Sequence, residues 1–304
     1  MSWLRKMDAW FMKPCPTERL ALLRMAIGAF GVAYILLRLP HWFTPLGFER
    51  AGFAPIGVFA VLPIRLPMAA LVGLVVVSVI AGALFTIGYR LRASGPVYAC
   101  GLLLLTTYRN CWGMIFHVEN LLVLHTLTLG LAPLAEVREG VRRAAERVRV
   151  ASGWCVRLLC LLTVVTYVIA GVAKLQESGL GWAVGDVLRE HIAYDAVRKL
   201  ELGAMPSPIA AIAVRFAPLF PPLAVLTLLI ELGAPVALLG PRCALVWCLG
   251  ALSFHVGVLA LMGIVFPYPL LFVAYLPFFP VEQWLQRWPR LAQRLGLAQP
   301  RKEV

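Results

Sequence analysis

MAALVGLVVVSVIAGALFTIGY, residues Met68 to Tyr89, carries no charged side chain and is bounded by Arg65 and Arg90. A helix needs about 20 such residues to cross the hydrocarbon of a bilayer. One apolar face is enough to build a soluble core, whereas this stretch is apolar on every side. The rest of the chain agrees. Hydrophobic residues make up 61% of the 304 positions and charged ones 14%, against about half and about a quarter in soluble domains. Lipid is the natural solvent for so much apolar surface.

Comparable runs lie on both sides. Upstream is Leu20–Leu39, followed by a loop, Pro40–Pro67, whose Trp42, Phe43, Phe48, Phe53 and Phe59 suit a membrane–water boundary. Downstream come a brief run at Gly95–Tyr108, then Trp112–Leu134 and Trp154–Leu175. Ile209–Leu239 is too long for one straight span and contains Pro218, Pro221 and Pro222. It reads as one kinked span or as a half-helix followed by a full one, because proline breaks the backbone ladder. Cys243–Val265 and the short Pro267–Val281 complete the set. The expected fold is an all-α, polytopic integral membrane bundle of about eight spans. It fills one domain over 1–304, with no large soluble domain.

The net charge of +13 does not mark a nucleic-acid binder. Lys and Arg fall in short clusters between apolar runs, without the basic face and interleaved aromatics that nucleic acid requires. Their bias fits positive-inside topology, with the segment 135–150 (EVREGVRRAAERVR at its centre) and the tail 285–304 on the inner side. Both termini are then cytoplasmic, the host is the cell membrane, and Lys174 lies at the outer end of the fifth span. The first apolar run lacks a cleavage site and is expected to stay as a membrane helix. The seven cysteines show no CxxC pair and no metal-ligand spacing, so they read as packing residues and no metal is expected.

A charge at the centre of a membrane helix costs about 2.5–3.5 kcal/mol on insertion scales. Arg24, His117, Glu119, His125, Lys174, Arg215, Glu231 and His255 therefore each need a partner, a cavity or a task. On a helix over Trp112–Leu134, His117 and Asn120 share a face, either as an interhelical hydrogen-bond cluster or as the wall of a cavity. Lys174 follows Ala170, Gly171 and Ala173, small residues that let a neighbouring helix or a flat ligand approach closely. Its amine either reaches for the headgroups or is kept dry, where the neutral form is able to take a proton. His255 reads as a satisfied structural histidine. Glu231 needs protonation or a cation such as Arg24 or Arg215.

Four stretches carry a family resemblance: ERLALLRMAIG (Glu18–Gly28), NCWGMIFHVENLLVLH (Asn110–His125), YVIAGVAKLQ (Tyr167–Gln176) and FHVGVLALMGIVFPYPLLFVAYLPFF (Phe254–Phe279). Together, and in this order over 18–284, they resemble the vitamin K-dependent gamma-carboxylase-related family, whose membrane part is called the horizontally transferred transmembrane (HTTM) domain. The resemblance implies a bundle enclosing a lipid-like cofactor pocket. In the carboxylases a lysine in a similar AG-V-x-K-L stretch deprotonates vitamin K hydroquinone, and the oxygenated quinone then removes a glutamate proton before carbon dioxide adds. Lys174 matches that lysine and is the candidate general base; Ala173 stands where the animal enzymes have a further lysine. His117 and His255 match pocket histidines and join Lys174 as candidate catalytic residues. Gly171, Ala170 and Asn120 are candidate cofactor-binding positions for a quinone of the vitamin K or menaquinone type.

Protein glutamate carboxylation itself is not expected, because the soluble portion that follows the membrane part in the carboxylases does not follow here. The residues fit three classes: a quinone-dependent or lyase-like membrane enzyme, a quinone-binding accessory subunit resembling DoxX-type redox proteins, or a transporter or maturation factor. The partners expected on any of them are the bilayer and a quinone or lipid-like ligand.

Overall fold

The computed structural model describes residues 3–113, 115–135, 144–184 and 186–286. Among these every regular element is helical. The chain packs into two compact units, one of Met1–Leu159 with Phe279–Val304 and one of Cys160–Phe278.

In the first unit, α1 (Trp3–Phe11) and α2 (Thr17–Leu37) are separated by Pro14 and Pro16. The loop after α2 contains two short helices, α3 (Leu39–Phe43) and α4 (Val58–Val61). α5 (Met68–Ile87) packs against α2 and α6 (Leu91–Asn110), and α6 packs in turn against α7 (Asn120–Ala135). α5 stops at Gly88, whose φ of 85° is left-handed and therefore suits glycine. Arg24 of α2 reaches the same place and donates to the carbonyls of Phe85 and Thr86. A guanidinium inside an apolar helix is thus used to satisfy the open carbonyls at the end of its neighbour.

Where α6 meets α7, a Cβ on Gly95 would fall 2.5 Å from the Gly130 carbonyl oxygen, and one on Gly130 would fall 2.6 Å from that of Gly95. Backbones approach this closely only at small residues, the packing that serves helices in lipid. His125, fully buried, bonds the Leu159 carbonyl at 3.0 Å. Since a carbonyl only accepts, Nε2 is the protonated nitrogen.

α8 (Ala144–Ser178) carries the chain into the second unit, which continues through α9 (Gly181–Val184), α10 (Val187–Glu201), α11 (Pro208–Ala213), α12 (Phe220–Leu232), α13 (Pro241–Met262) and α14 (Pro267–Leu270). The 208–238 region is broken in two places. α11 ends before Phe216, and α12 gives way to a 3-10 turn at Ala234–Leu238, next to Pro235. The last apolar run is not one helix either. Pro267, Pro269, Pro277 and Pro280 divide it into α14 and a 3-10 segment at Val273–Phe278. A final helix, α15 (Val281–Gln286), returns to the first unit and packs on α2.

Among the described residues, four helices are long and apolar enough to cross a membrane: Thr17–Leu37, Met68–Ile87, Gly153–Ser178 and Pro241–Met262. Their outer sides are apolar too, with Val72, Val76 and Ile80 on α5, Val165 and Ile169 on α8, and Val246 and Leu249 on α13 all exposed. Their hydroxyls bond inward to their own helix, as Ser78 does to the Leu74 carbonyl, Thr166 to that of Leu162 and Ser253 to that of Leu249. None of these groups then needs water. The expected third span is longer than its apolar run, since α6 is 20 residues. The fourth begins at Asn120 rather than Trp112. Residues 136–143 of the charged segment and the tail from 287 lie outside the described residues; from 144 the charged segment is already helical.

Candidate functional site

The site belongs to the second unit and begins with a close crossing. Gly171 is buried on α8, and a Cβ there would meet Leu232 Cγ at 2.9 Å and Glu231 Cβ at 3.1 Å. Only a residue without a side chain lets α12 come this near. One helical turn further on, Lys174 therefore lies alongside Glu231, and its Nζ donates to Oε1 of that carboxylate. The Glu231 side chain is 2% exposed and that of Lys174 20%. The ammonium also sits 5.2 Å from the Trp182 ring centroid and 5.4 Å from that of Phe254. Aromatic faces attract a cation electrostatically, most strongly where water is scarce. Trp182 is held in place by its indole N–H, 3.3 Å from the Thr227 hydroxyl. The second carboxylate oxygen of Glu231, Oε2, is buried and has no hydrogen-bond partner among the described residues.

A second polar group stands nearby in the same unit. Tyr167, an i, i+7 step before Lys174 and so on the same side of α8, brings its hydroxyl 2.7 Å from His255 Nε2 and 2.6 Å from the Tyr275 hydroxyl. Trp247 closes this group edge-on, 5.0 Å from the Tyr167 ring, and its indole donates to the Ile230 carbonyl next to Glu231. His255 is buried, and its Nε2 meets the Tyr167 hydroxyl.

The other sequence-derived candidates are placed differently. Ala170 is exposed on α8, on a side away from the crossing that Gly171 makes. His117 and Asn120 belong to the first unit. His117 precedes α7 in an irregular segment, so it does not share a helical face with Asn120, and both residues are exposed. Glu119 between them is the buried one, accepting from the Tyr34 hydroxyl at 2.6 Å and facing Arg109 at 3.4 Å. Neither Arg24 nor Arg215 is the partner of Glu231; Lys174 is.

Three residues of the site were missed from sequence: Tyr167, Trp182 and Phe254. Tyr167 was legible, since the i, i+7 spacing to Lys174 sets it on the lysine's side. Trp182 and Phe254 reach the site only through tertiary contacts that no local pattern encodes. Among the described residues, no three His, Cys, Asp or Glu side chains converge as a metal would require.

No family model, curated protein or solved structure matches this chain.

Proposed function

We propose that the chain is a multi-pass protein of the cell membrane, with about eight spans and both termini cytoplasmic, related to the HTTM membrane domain of the gamma-carboxylase-related family. On this reading it binds a quinone or similar lipid-like ligand at Lys174 and Glu231. The observation that carries it is the unpartnered Glu231 Oε2, buried beside an ammonium that two aromatic rings flank. Such a setting fits a flat ligand with a ring hydroxyl, which has a π-face for Trp182 or Phe254 and a donor for Oε2. A bound hydroquinone supplies two electrons and two acidic hydroxyls.

The protein's own part is proton handling. Lys174 Nζ donates to Glu231 Oε1, and that hydrogen bond is the path along which a proton passes between them. With the proton on nitrogen the pair is ammonium and carboxylate; with it on oxygen the pair is amine and carboxylic acid. Both forms have zero net charge, and moving the proton to oxygen removes the separated charges of the ion pair, whose desolvation an apolar setting makes costly. The second form exposes a neutral amine, which is the state able to act as a general base. Trp182 and Phe254 hold the ammonium form by cation–π attraction, and Gly171 keeps the two helices close enough for the exchange.

The test is lipid analysis of purified protein by mass spectrometry. Quinone present in stoichiometric amount, and lost from the Lys174→Met/Glu231→Gln double variant while that variant still unfolds cooperatively, supports the site. Protein that carries no quinone after extraction from menaquinone-containing membranes, or a double variant that keeps it, refutes it. The broken 208–238 region favours a second reading as a transporter, because discontinuous helices line solute sites. A copurifying polar solute in place of quinone decides for that alternative.

A further inference from the structure

The ends of α2 and α6 and the start of α7 gather a second set of charges in the first unit, unrelated to the lysine site. Arg38 donates to the Tyr34 hydroxyl at 2.8 Å, Tyr34 donates to Glu119 at 2.6 Å, and Arg109 approaches the same carboxylate oxygen at 3.4 Å. Both guanidiniums lie over rings, Arg38 5.3 Å from the Tyr34 centroid and Arg109 4.2 Å from that of Phe116. The Phe116 ring is fixed in turn. Asn110 donates to the Phe116 carbonyl at 2.9 Å and accepts from its N–H at 3.0 Å.

Two guanidiniums thus gather at one carboxylate, Arg109 directly and Arg38 through the Tyr34 hydroxyl, and the cluster is positive. Each guanidinium has five N–H donors, yet among the described residues each makes one side-chain hydrogen bond. Glu119 holds one fork and Tyr34 the other, which leaves most donors of both guanidiniums without a protein partner among the described residues. His41 senses the excess charge, since its imidazole is pushed down by burial and by both Arg38 and Arg109. Leu36 and Leu37, which precede Arg38 at the end of α2, and Ile115, which precedes Phe116, are exposed.

The geometry points to a binding site for the phosphate of an anionic lipid headgroup at Arg38 and Arg109, with its acyl chains along Leu36, Leu37 and Ile115. Fixed guanidinium forks suit phosphate oxygens better than a flexible ammonium does, and a lipid satisfies the apolar flank that a free anion leaves bare.

Protein in nanodiscs of phosphatidylcholine, with and without phosphatidylglycerol, tests this by thermal unfolding and by native mass spectrometry of retained lipid. Phosphatidylglycerol raises the Tm of the wild type, and Arg38→Gln lowers its retention roughly tenfold, the share of one charge-assisted hydrogen bond. Arg109→Gln strands buried Glu119, so the double variant Arg109→Gln/Glu119→Gln serves in its place and also loses retention. Arg92→Gln, at the opposite end of α6, leaves retention unchanged. Equal stabilisation by inorganic phosphate in phosphatidylcholine discs overturns the lipid assignment. Full retention of phosphatidylglycerol by Arg38→Gln and by the double variant overturns the site.

Discussion

Lys174 and Glu231 stand 57 positions apart in the chain and form an ion pair between α8 and α12. The pair accounts for two charges that the sequence places in apolar helices. Its closeness depends on Gly171, and the Trp182 and Phe254 rings flank the ammonium.

Removing one member leaves the other exposed to the cost that the pair avoids. Lys174→Met strands a carboxylate that is 2% exposed, and breaking a buried pair this way costs about 3–5 kcal/mol. The double variant Lys174→Met/Glu231→Gln strands no charge and is expected to recover most of that loss. Thermal unfolding in one detergent across the wild type, Lys174→Met, Glu231→Gln and the double variant measures the coupling. Additive losses would mean that the two side chains do not interact.

Gly171→Ala tests the crossing itself. The new methyl group meets Leu232 and Glu231 below normal contact distance, and overpacking of this kind costs about 1–3 kcal/mol. The reverse change one position away, Ala170→Gly on an exposed side, makes no clash and is expected to cost only the helix-propensity difference of about 1 kcal/mol. A Tm for Gly171→Ala equal to that of the wild type would show that the helices have room to spare.

Much of the bundle was legible because a charge-free run such as Met68–Tyr89 has one physical solution. The ends of spans were less so. Phe116 is as apolar as the helix that follows, but Asn110 bonds it at both its N–H and its carbonyl, and the helix starts only at Asn120. Pro267–Val281 was read as a span from its apolarity, while its four prolines set the backbone. At the site, YVIAGVAKLQ announced a lysine beside small residues, yet it gave no sign of which acid would cross there. Arg24 and Arg215 were reasonable partners for Glu231 by charge alone. Pairing across helices is fixed by packing, and the sequence states only that a partner is needed.

Tyr167→Phe keeps the ring and removes the hydroxyl that links His255 to Tyr275. Losing a buried link of this kind costs about 1–3 kcal/mol. Ring packing against Trp247 survives, so the variant is expected to fold and to lose stability without losing its near-ultraviolet circular dichroism. Tyr275→Phe removes one of the two hydrogen bonds and is expected to cost less. A Tyr167→Phe variant as stable as the wild type would show that the hydroxyl network contributes nothing net.

The return of α15 to α2 is pinned by Arg19, whose Nε donates to Glu282 at 2.8 Å and whose Nη2 donates at 2.6 Å. Burial alone would raise the Glu282 carboxyl, but the hydrogen bonds and charge of Arg19 outweigh it and hold the group below its ordinary value of 4.5. A carboxyl depressed in the folded state stabilises above the unfolded value, and that contribution fades as pH falls through the folded one. At neutral pH Glu282→Gln is expected to cost about 1–2 kcal/mol, since Arg19 remains partly exposed. Unfolding followed from about pH 6 to about pH 3 should bring the wild type and Glu282→Gln together from the ordinary glutamate range downward. The advantage fades between the unfolded value and the lower folded one, because over that range the unfolded carboxylate takes up a proton that the folded one still refuses. Arg19→Gln is expected to give the same convergence. Curves that stay a constant distance apart over the whole range would show that this fork does not hold α15 in place.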